Sequence, residues 1–360
     1  MKRNPVDTYG FINAKLRGRI GRMREDQLVE NLLRASTLVD AIALLRDSPY
    51  KKVAEVYDRT GDLQQMELVL LGSEIEGHRL IAKYMGGRSL RLVEHLLAKI
   101  ELDNLKNTLR LWYSAIIRRR PIRFRSEYLF KEQIVHPIQW VALINTTAWS
   151  EVQQLLADTP YGQTIALFSE EQLIEDGLFA LESALDRTWY AGLLQVSETL
   201  RKSDQAVAEE IFGAEIDLKN LQTLVRYGLY YQKPAEELAP LLLPWGRVAE
   251  SNAAAAYIAS EPESRDAVAL INAFYRGVEE GKAVGATTGE PGVAENLLLE
   301  GYLVERRRAF YRRVLGGDPF TVGVILAYLF LFTEETATIR ATLNGKYYGY
   351  EEAYIRGVLG

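Results

Sequence analysis

The stretch ELDNLKNTLR, residues 101–110, recurs 116 residues later as DLKNLQTLVR, residues 217–226. Both copies have an acidic residue, Asn three positions later, Leu directly after the Asn, and Arg six positions after it. A third copy, ETATIRATLN at residues 335–344, keeps the acid and the aliphatic residue, but Thr338 replaces Asn and Asn344 replaces Arg. A motif that recurs at a nearly constant interval predicts a chain built from three related units.

A second motif recurs in the same order. LLRDSPY at residues 44–50 matches LLADTPY at residues 155–161 in five of seven positions, and YIASEPE at 257–263 is a weaker third copy. The two motifs lie about 20 residues further apart in the third copy, and GKAVGATTGEPGV at 281–293 is the candidate insertion. Its Gly, Thr and Pro content is typical of an exposed loop. We therefore predict repeat units over residues 1–122, 123–236 and 237–360, with the insertion in the third.

The spacing of apolar residues predicts helices. Leu102, Leu105, Leu109, Trp112 and Ile116 fall on one face of a helix with 3.6 residues per turn. Alternation of the strand type is scarce, and prolines stand where the helical pattern breaks. The predicted fold class is all-α, with three similar helical units.

Composition excludes several classes of protein. Hydrophobic residues make up 48% and charged residues 25% of the 360 positions, which is typical of a folded chain. The net charge of -5 disfavours a nucleic-acid-binding protein. The absence of cysteine excludes disulfides and thiolate chemistry, and the three histidines lack the spacing of a zinc site. Phosphate-loop, dinucleotide-binding and metalloprotease motifs are also missing, so we predict no catalytic residue, no metal and no cofactor.

The longest apolar run, FTVGVILAYLFLF at residues 320–332, predicts a helix buried in the protein. It has 13 residues, which is shorter than the roughly 20 that cross a bilayer. The N-terminal MKRNPVDTYG lacks the apolar core of a signal peptide. We therefore expect a cytoplasmic chain without a membrane span.

Polar residues of the repeated helix are the candidate contact sites. The three equivalent acids lie at the margin of the apolar stripe, where a carboxylate needs donors. They either tie helices together within a unit, or share with the neighbouring polar face a contact to a partner; general acid–base catalysis would need unlike environments for paired groups. The candidates are Glu101, Asn104, Lys106, Arg110, Asp217, Asn220, Gln222, Arg226, Glu335, Arg340 and Asn344.

Arginine is concentrated in three segments. These are RRRPIRFR at residues 118–125, ERRRAFYRR at residues 305–313, and the basic stretch from Lys15 to Arg24. Solvated helix faces are one explanation and contact with an acidic protein surface is another. Interleaved aromatic residues would also suit RNA stacking, but the acidic balance of the chain disfavours it.

Taken in order, these motifs resemble a known family. YGFINAKLRGRIGRM at residues 9–23, the LLRDSPY turn, the repeated helix and EETATIRATLNGKYYG at 334–349 are similar to the C subunit of A/V-type ATP synthases, whose eukaryotic relative is the d subunit of the V-ATPase. The departure is Thr338, which stands where the other copies have Asn. The resemblance implies a funnel of three pseudo-symmetric helical domains around a central cavity.

The resemblance also implies a function. Members of this family are non-catalytic rotor proteins, peripheral at the membrane, that join the c-ring to the D and F subunits of the central stalk and transmit torque for proton or sodium transport. An alternative that the residues leave open is a helical-repeat scaffold of another complex, which would form an open array. An enzyme with an unrecognised site is the other, and would show a pocket with strongly perturbed titratable groups.

Overall fold

Helices make up the fold, as the periodicity predicts. The computed structural model describes residues 4–25, 27–121, 127, 129–275 and 291–359, and these ranges contain no strand. The predicted all-α class is therefore confirmed.

The helices are named here in chain order. The first ten are α1 (Pro5–Glu25), α2 (Leu28–Arg34), α3 (Leu38–Arg46), α4 (Lys51–Thr60), α5 (Leu63–Ala82), α6 (Gly87–Ile116), α7 (Trp140–Ile144), α8 (Trp149–Leu156), α9 (Gly162–Ile165) and α10 (Glu170–Asp176). Then follow α11 (Phe179–Glu198), α12 (Lys202–Thr223), α13 (Ala235–Leu238), α14 (Gly246–Ala249), α15 (Asn252–Ala259), α16 (Ala267–Asn272), α17 (Pro291–Leu315), α18 (Gly323–Tyr347) and α19 (Glu352–Leu359). A π-helical segment, Leu224–Tyr230, continues α12, and Ala239–Leu241 and Pro262–Ser264 are 3-10 turns.

The chain divides into two compact units. The terminal unit contains Met1–Ser48 and Lys202–Gly360, and the central unit contains Pro49–Arg201. A compact unit can hold parts of more than one repeat, so the predicted repeat boundaries at 122/123 and 236/237 stay a prediction. The funnel-shaped arrangement of three domains also stays a prediction.

The apolar stripe of α6 forms the core of the central unit. Leu102, Leu105, Leu109 and Trp112 are all 0% exposed, and α6 packs against α5 and α11. Each fully buried leucine contributes about 2 kcal/mol through the hydrophobic effect. Ile116, at the last turn, is only half-buried.

The LLRDSPY motif at residues 44–50 and its second copy, LLADTPY at residues 155–161, form the same turn. The Ser48 hydroxyl donates to the Leu45 carbonyl at 2.8 Å, and the Thr159 hydroxyl donates to the Leu156 carbonyl at 2.6 Å. In each copy, a hydroxyl three residues after the leucine thus adds a second donor to a carbonyl at the helix end, which also accepts the backbone N–H of the same Ser or Thr. This explains why Ser and Thr are interchangeable at this position.

Most of the apolar run at residues 320–332 belongs to α18 and is buried, as the sequence predicts. Residues 324–329 of α18 are each at most 2% exposed. Among the residues that the structure describes, no helix is long and apolar enough to cross a membrane. Of the predicted insertion at 281–293, the first ten residues lie outside the described ranges, and α17 begins at Pro291.

A buried carboxylate ties three elements of the terminal unit together. Asp204, in the first turn of α12, accepts the Tyr9 hydroxyl of α1 at 2.8 Å on Oδ2. Its Oδ1 accepts the backbone N–H of Val322, directly before α18, at 2.9 Å. Because both oxygens are used, Asp204 fixes the beginning of α12 and α18 against α1.

We expect Tyr9→Phe to lower the free energy of unfolding by about 2 kcal/mol, because a buried carboxylate loses one donor. Urea denaturation followed by circular dichroism measures the change. Tyr348→Phe is the matched control, since Tyr348 is 66% exposed and its loss of a hydroxyl should cost nothing measurable. Equal losses in the two variants would contradict the role assigned to Asp204.

Candidate functional site

Glu101 lies at the centre of a fully used hydrogen-bond cluster. The residue is 0% exposed. Its Oε2 accepts the backbone N–H groups of Val135 and His136, both at 2.7 Å. Its Oε1 accepts the Tyr161 hydroxyl at 3.0 Å and lies 2.6 Å from His136 Nδ1. Since an ionised carboxylate can only accept, Nδ1 carries the proton of this contact.

Tyr161 connects the two sequence motifs. It is the last residue of LLADTPY, whereas Glu101 is the first of ELDNLKNTLR. Burial and then the nearby charge of Glu101 raise the pKa of Tyr161 above its ordinary value, so its hydroxyl stays protonated and donates. The LLADTPY turn of the second copy is thereby fixed on the repeated helix of the first copy.

Asn104, one helical turn after Glu101, holds the same incoming segment. Its side-chain amide donates to the Phe130 carbonyl at 2.9 Å. Asn104 is itself buried. The acid and the amide together therefore hold Phe130 and residues 135–136 against α6.

Asp217 and Asn220 do the same on α12. Asp217 accepts the Val248 N–H on Oδ1 and the Arg247 Nε on Oδ2, both at 3.0 Å. Asn220 accepts the Leu243 N–H at 2.8 Å and donates back to the Leu243 carbonyl at 3.0 Å. In both copies, the acid thus receives backbone N–H and a basic side chain from a segment about 30 residues further along the chain.

The third copy departs from this arrangement. The Thr338 hydroxyl donates to the Glu334 carbonyl within α18 at 2.8 Å, and the Asn344 amide donates to the Arg340 carbonyl at 3.0 Å. Both contacts stay within one helix. Glu335 borders a cavity together with Thr338.

The polar face of α6 is occupied by α11. Lys106 Nζ lies 2.9 and 3.0 Å from the two oxygens of Asp186. Arg110 forms a two-pronged pair with Glu182, with both contacts at 2.6 Å. These two candidate residues thus have partners inside the central unit.

Lys99 strengthens the same interface. Its Nζ lies 2.7 Å from Asp103 and 3.2 Å from Asp186. Burial alone would lower the pKa of Lys99, but the two carboxylates outweigh it and raise that pKa. Burial likewise opposes ionisation of Asp103, and the ammonium groups of Lys99 and Lys106 outweigh it and lower its pKa. Lys99 and Asp103, both on α6, therefore stay charged near neutral pH.

The arginine run of α17 points partly inward, so a solvated helix face does not explain all of its arginines. Arg307 lies 3.2 Å from Glu215 of α12, and Arg308 lies 3.1 Å from Glu334 of α18. Their side chains are only 25% and 19% exposed. Two consecutive arginines thus fasten α17 to two neighbouring helices.

Three candidates of the repeated helix remain, namely Gln222, Arg226 and Arg340. Gln222 Oε1 is 3.5 Å from Arg307 Nη2, so this candidate also contacts α17. Arg226 is exposed where the π-helical segment continues α12, and Arg340 has a buried Nε.

Glu101 and Asp217 each hold a later segment of the chain against the helix that carries the acid, and we call these two arrangements clamps. Each buried acid of the first two copies is bound by fixed donors from a later segment of the chain. Within the described residues, no group of three His, Asp or Glu side chains could hold a metal ion. What the arrangement can do chemically is to lock one chain segment onto another.

Several residues of the clamps are not predicted by the sequence. His136 and Arg247 supply the basic groups, and Gly246 lies so close that a Cβ there would be 2.5 Å from Asp217 Oδ1. Tyr161 belongs to a repeated motif, but the motif does not indicate its contact with Glu101. The available signal is the need of each buried acid for a donor, which does not say where in the chain the donor lies.

We expect Glu101→Ala to lower the free energy of unfolding by about 4 kcal/mol, since the change leaves buried N–H and O–H donors without an acceptor. Thermal and urea denaturation measure it. Glu94→Ala, an exposed position on the same helix, should cost less than about 0.5 kcal/mol. A Glu101→Ala protein as stable as the control would show that the clamp contributes nothing.

Gly246→Ala should destabilise the protein for two reasons. Gly246 has φ of +81° and its new Cβ would press on Asp217, whereas Gly349 has φ of +73° and open space around it. Gly349→Ala therefore measures the backbone cost alone, and we expect Gly246→Ala to exceed it by about 2 kcal/mol. Similar unfolding midpoints for the two variants would contradict the close contact with Asp217.

Known proteins resemble this chain over nearly its whole length. The profile of the ATP synthase (C/AC39) subunit family matches residues 12–358. The C subunit of the A-type ATP synthase of Pyrococcus horikoshii is 24% identical over 92% of this chain and 85% of its own length. The protein of that name from Haloferax volcanii is 22% identical over 97% of this chain and 96% of its own length.

These matches confirm the resemblance drawn from the motifs. The C subunit of the A-type ATP synthase of Thermococcus gammatolerans adds a third relative, 21% identical over 98% of this chain and 90% of its own length. The family match includes all three copies of the repeated helix. The chain therefore belongs to the ATP synthase (C/AC39) subunit family.

Proposed function

We propose that this chain is the non-catalytic coupling component of an A- or V-type rotary ATPase. In this role it links the D and F subunits of the central stalk to the membrane c-ring and transmits torque during proton or sodium transport. It works without a nucleotide, cofactor or metal of its own. It lies on the cytoplasmic side and is held at the membrane through the ring.

The observation that carries the proposal is the family match over residues 12–358, together with what the polar residues of the repeated helix do. Glu101 and Asp217 are used as clamps, and Lys106 and Arg110 bind α11. A part that transmits torque must resist deformation, and close-packed helices joined by directional bonds supply that stiffness.

An exposed basic segment is our candidate for contact with a partner. Arg119 and Arg120, three and four residues after the end of α6, are exposed, and their side chains have no hydrogen bond or ion pair among the described residues. The neighbouring Arg118 instead donates to the Tyr113 hydroxyl at 3.3 Å. We propose that Arg119 and Arg120 meet an acidic surface of the stalk or the ring by charge-assisted hydrogen bonds.

Removing the chain from the assembled ATPase should uncouple the two halves of the machine. We expect the complex without it to keep hydrolysing ATP but to lose ATP-driven ion uptake into vesicles, because no rigid part joins stalk to ring. Adding the purified chain back should restore uptake. The two activities are measured on the same preparation.

Glu101→Ala serves as the matched variant, assayed well below its melting temperature. It should restore uptake, because its clamp acts within the central unit. A folded Glu101→Ala protein that fails to bind the complex would instead make this acid a partner contact. Ion uptake that persists without the chain would contradict the coupling function and favour a scaffold role elsewhere.

A further inference from the structure

A cavity of about 460 Å³ lies within the terminal unit, between α2, α17, α18 and α19. Its wall carries four glutamates and three arginines, so the ionised side chains leave one negative charge in excess. The volume is many times the ~30 Å³ share of one water molecule and falls in the range of ligand sites in proteins. The cavity is therefore large enough for a side chain from another molecule.

Two of the three arginines in the cavity wall already bind glutamates of that wall. Arg308 lies 3.1 Å from Glu334 Oε1, and its Nη1 lies 3.0 Å from Glu305. Arg356 binds both oxygens of Glu30, at 3.0 and 2.6 Å. These groups therefore offer little to an incoming anion.

One hydrogen-bond acceptor of a residue in the cavity wall has no donor. Oε2 of Glu334 is buried and has no hydrogen-bond partner. A buried carboxylate oxygen without a donor is costly, since it has lost water and gained nothing. Burial raises the pKa of Glu334 in spite of Arg308 and Arg307, which is the behaviour of a carboxylate whose charge is not fully compensated.

We propose that this cavity receives a basic side chain carried by a peptide segment of a partner protein, whose guanidinium or ammonium group pairs with the Glu334 carboxylate. The excess negative charge of the wall, together with the incompletely compensated charge of Glu334, selects a cation. An anion would face the four carboxylates of the wall.

The chain itself shows how such a site is filled. Glu101 receives His136 together with backbone N–H groups, and Asp217 receives Arg247 together with the Val248 N–H. Peptide segments with a basic side chain are thus the partners that buried acids of the repeated helices already have. This precedent favours a protein segment over a free polyamine, and the inference goes beyond the proposed coupling function without depending on it.

Binding of a minimal peptide to the full-length chain tests the inference. The probe is acetyl-Ala-Arg-Ala-amide, and acetyl-Ala-citrulline-Ala-amide is its uncharged counterpart of equal shape. We expect ligand-observed NMR titration to give at least tenfold tighter binding for the arginine peptide. Glu334→Gln should weaken that binding about tenfold, whereas Glu236→Gln, at an exposed position that does not line the cavity, should leave it unchanged.

A second variant keeps the test decisive if Glu334→Gln folds poorly by circular dichroism. Val29→Phe narrows the cavity and changes no charge, so it should also abolish binding of the arginine peptide. Equal binding of the two peptides, or binding that survives both variants, would overturn the inference. Spermidine that binds more tightly than the arginine peptide, with the same dependence on Glu334, would also overturn it in favour of a free polyamine.

Discussion

The rest of the structure depends on a buried carboxylate set at the edge of a leucine stripe. The hydrophobic effect is not directional. The apolar stripe of α6 therefore decides which face of the helix is packed, but not where along the helix axis a neighbouring segment lies. Glu101 and Asp217 supply the missing direction. An ionised carboxylate in the interior costs several kcal/mol unless donors surround it, and hydrogen bonds tolerate only small shifts. The position of each incoming segment is therefore set by the acid that it satisfies.

The opposite face of α6 is fixed by different means. Lys106 and Arg110 bind two carboxylates of α11, so the helix is held on one side by a buried acid and on the other by ion pairs. Partly exposed ion pairs add little stability, about 1 kcal/mol or less each, but they restrict rotation of one helix against the other. Directional bonds on both sides make a helix stiff, and stiffness is the property that the proposed coupling role requires.

Sequence periodicity is enough to predict the helices, the buried stripe and the need of each marginal acid for donors. It cannot locate those donors. Val135 and Val248 contribute backbone N–H groups, which have no signature in a sequence. His136 and Arg247 stand 35 and 30 residues after their acids, so no common spacing marks them. The inward arginines of α17 escape sequence-based prediction because their burial depends on glutamates of α12 and α18, which only the folded chain brings near.

Divergence of the third copy has a physical consequence. An asparagine side chain reaches out of its helix and pairs with an incoming backbone, as Asn220 does with Leu243. The shorter Thr338 instead satisfies a carbonyl of its own helix and accepts a long contact from Arg308 at 3.4 Å. In the first two copies, donors from the same chain satisfy the hydrogen-bonding needs of the buried acids. Glu334 lines an open cavity and keeps one buried oxygen without a donor, so its charge is not fully compensated from within the chain.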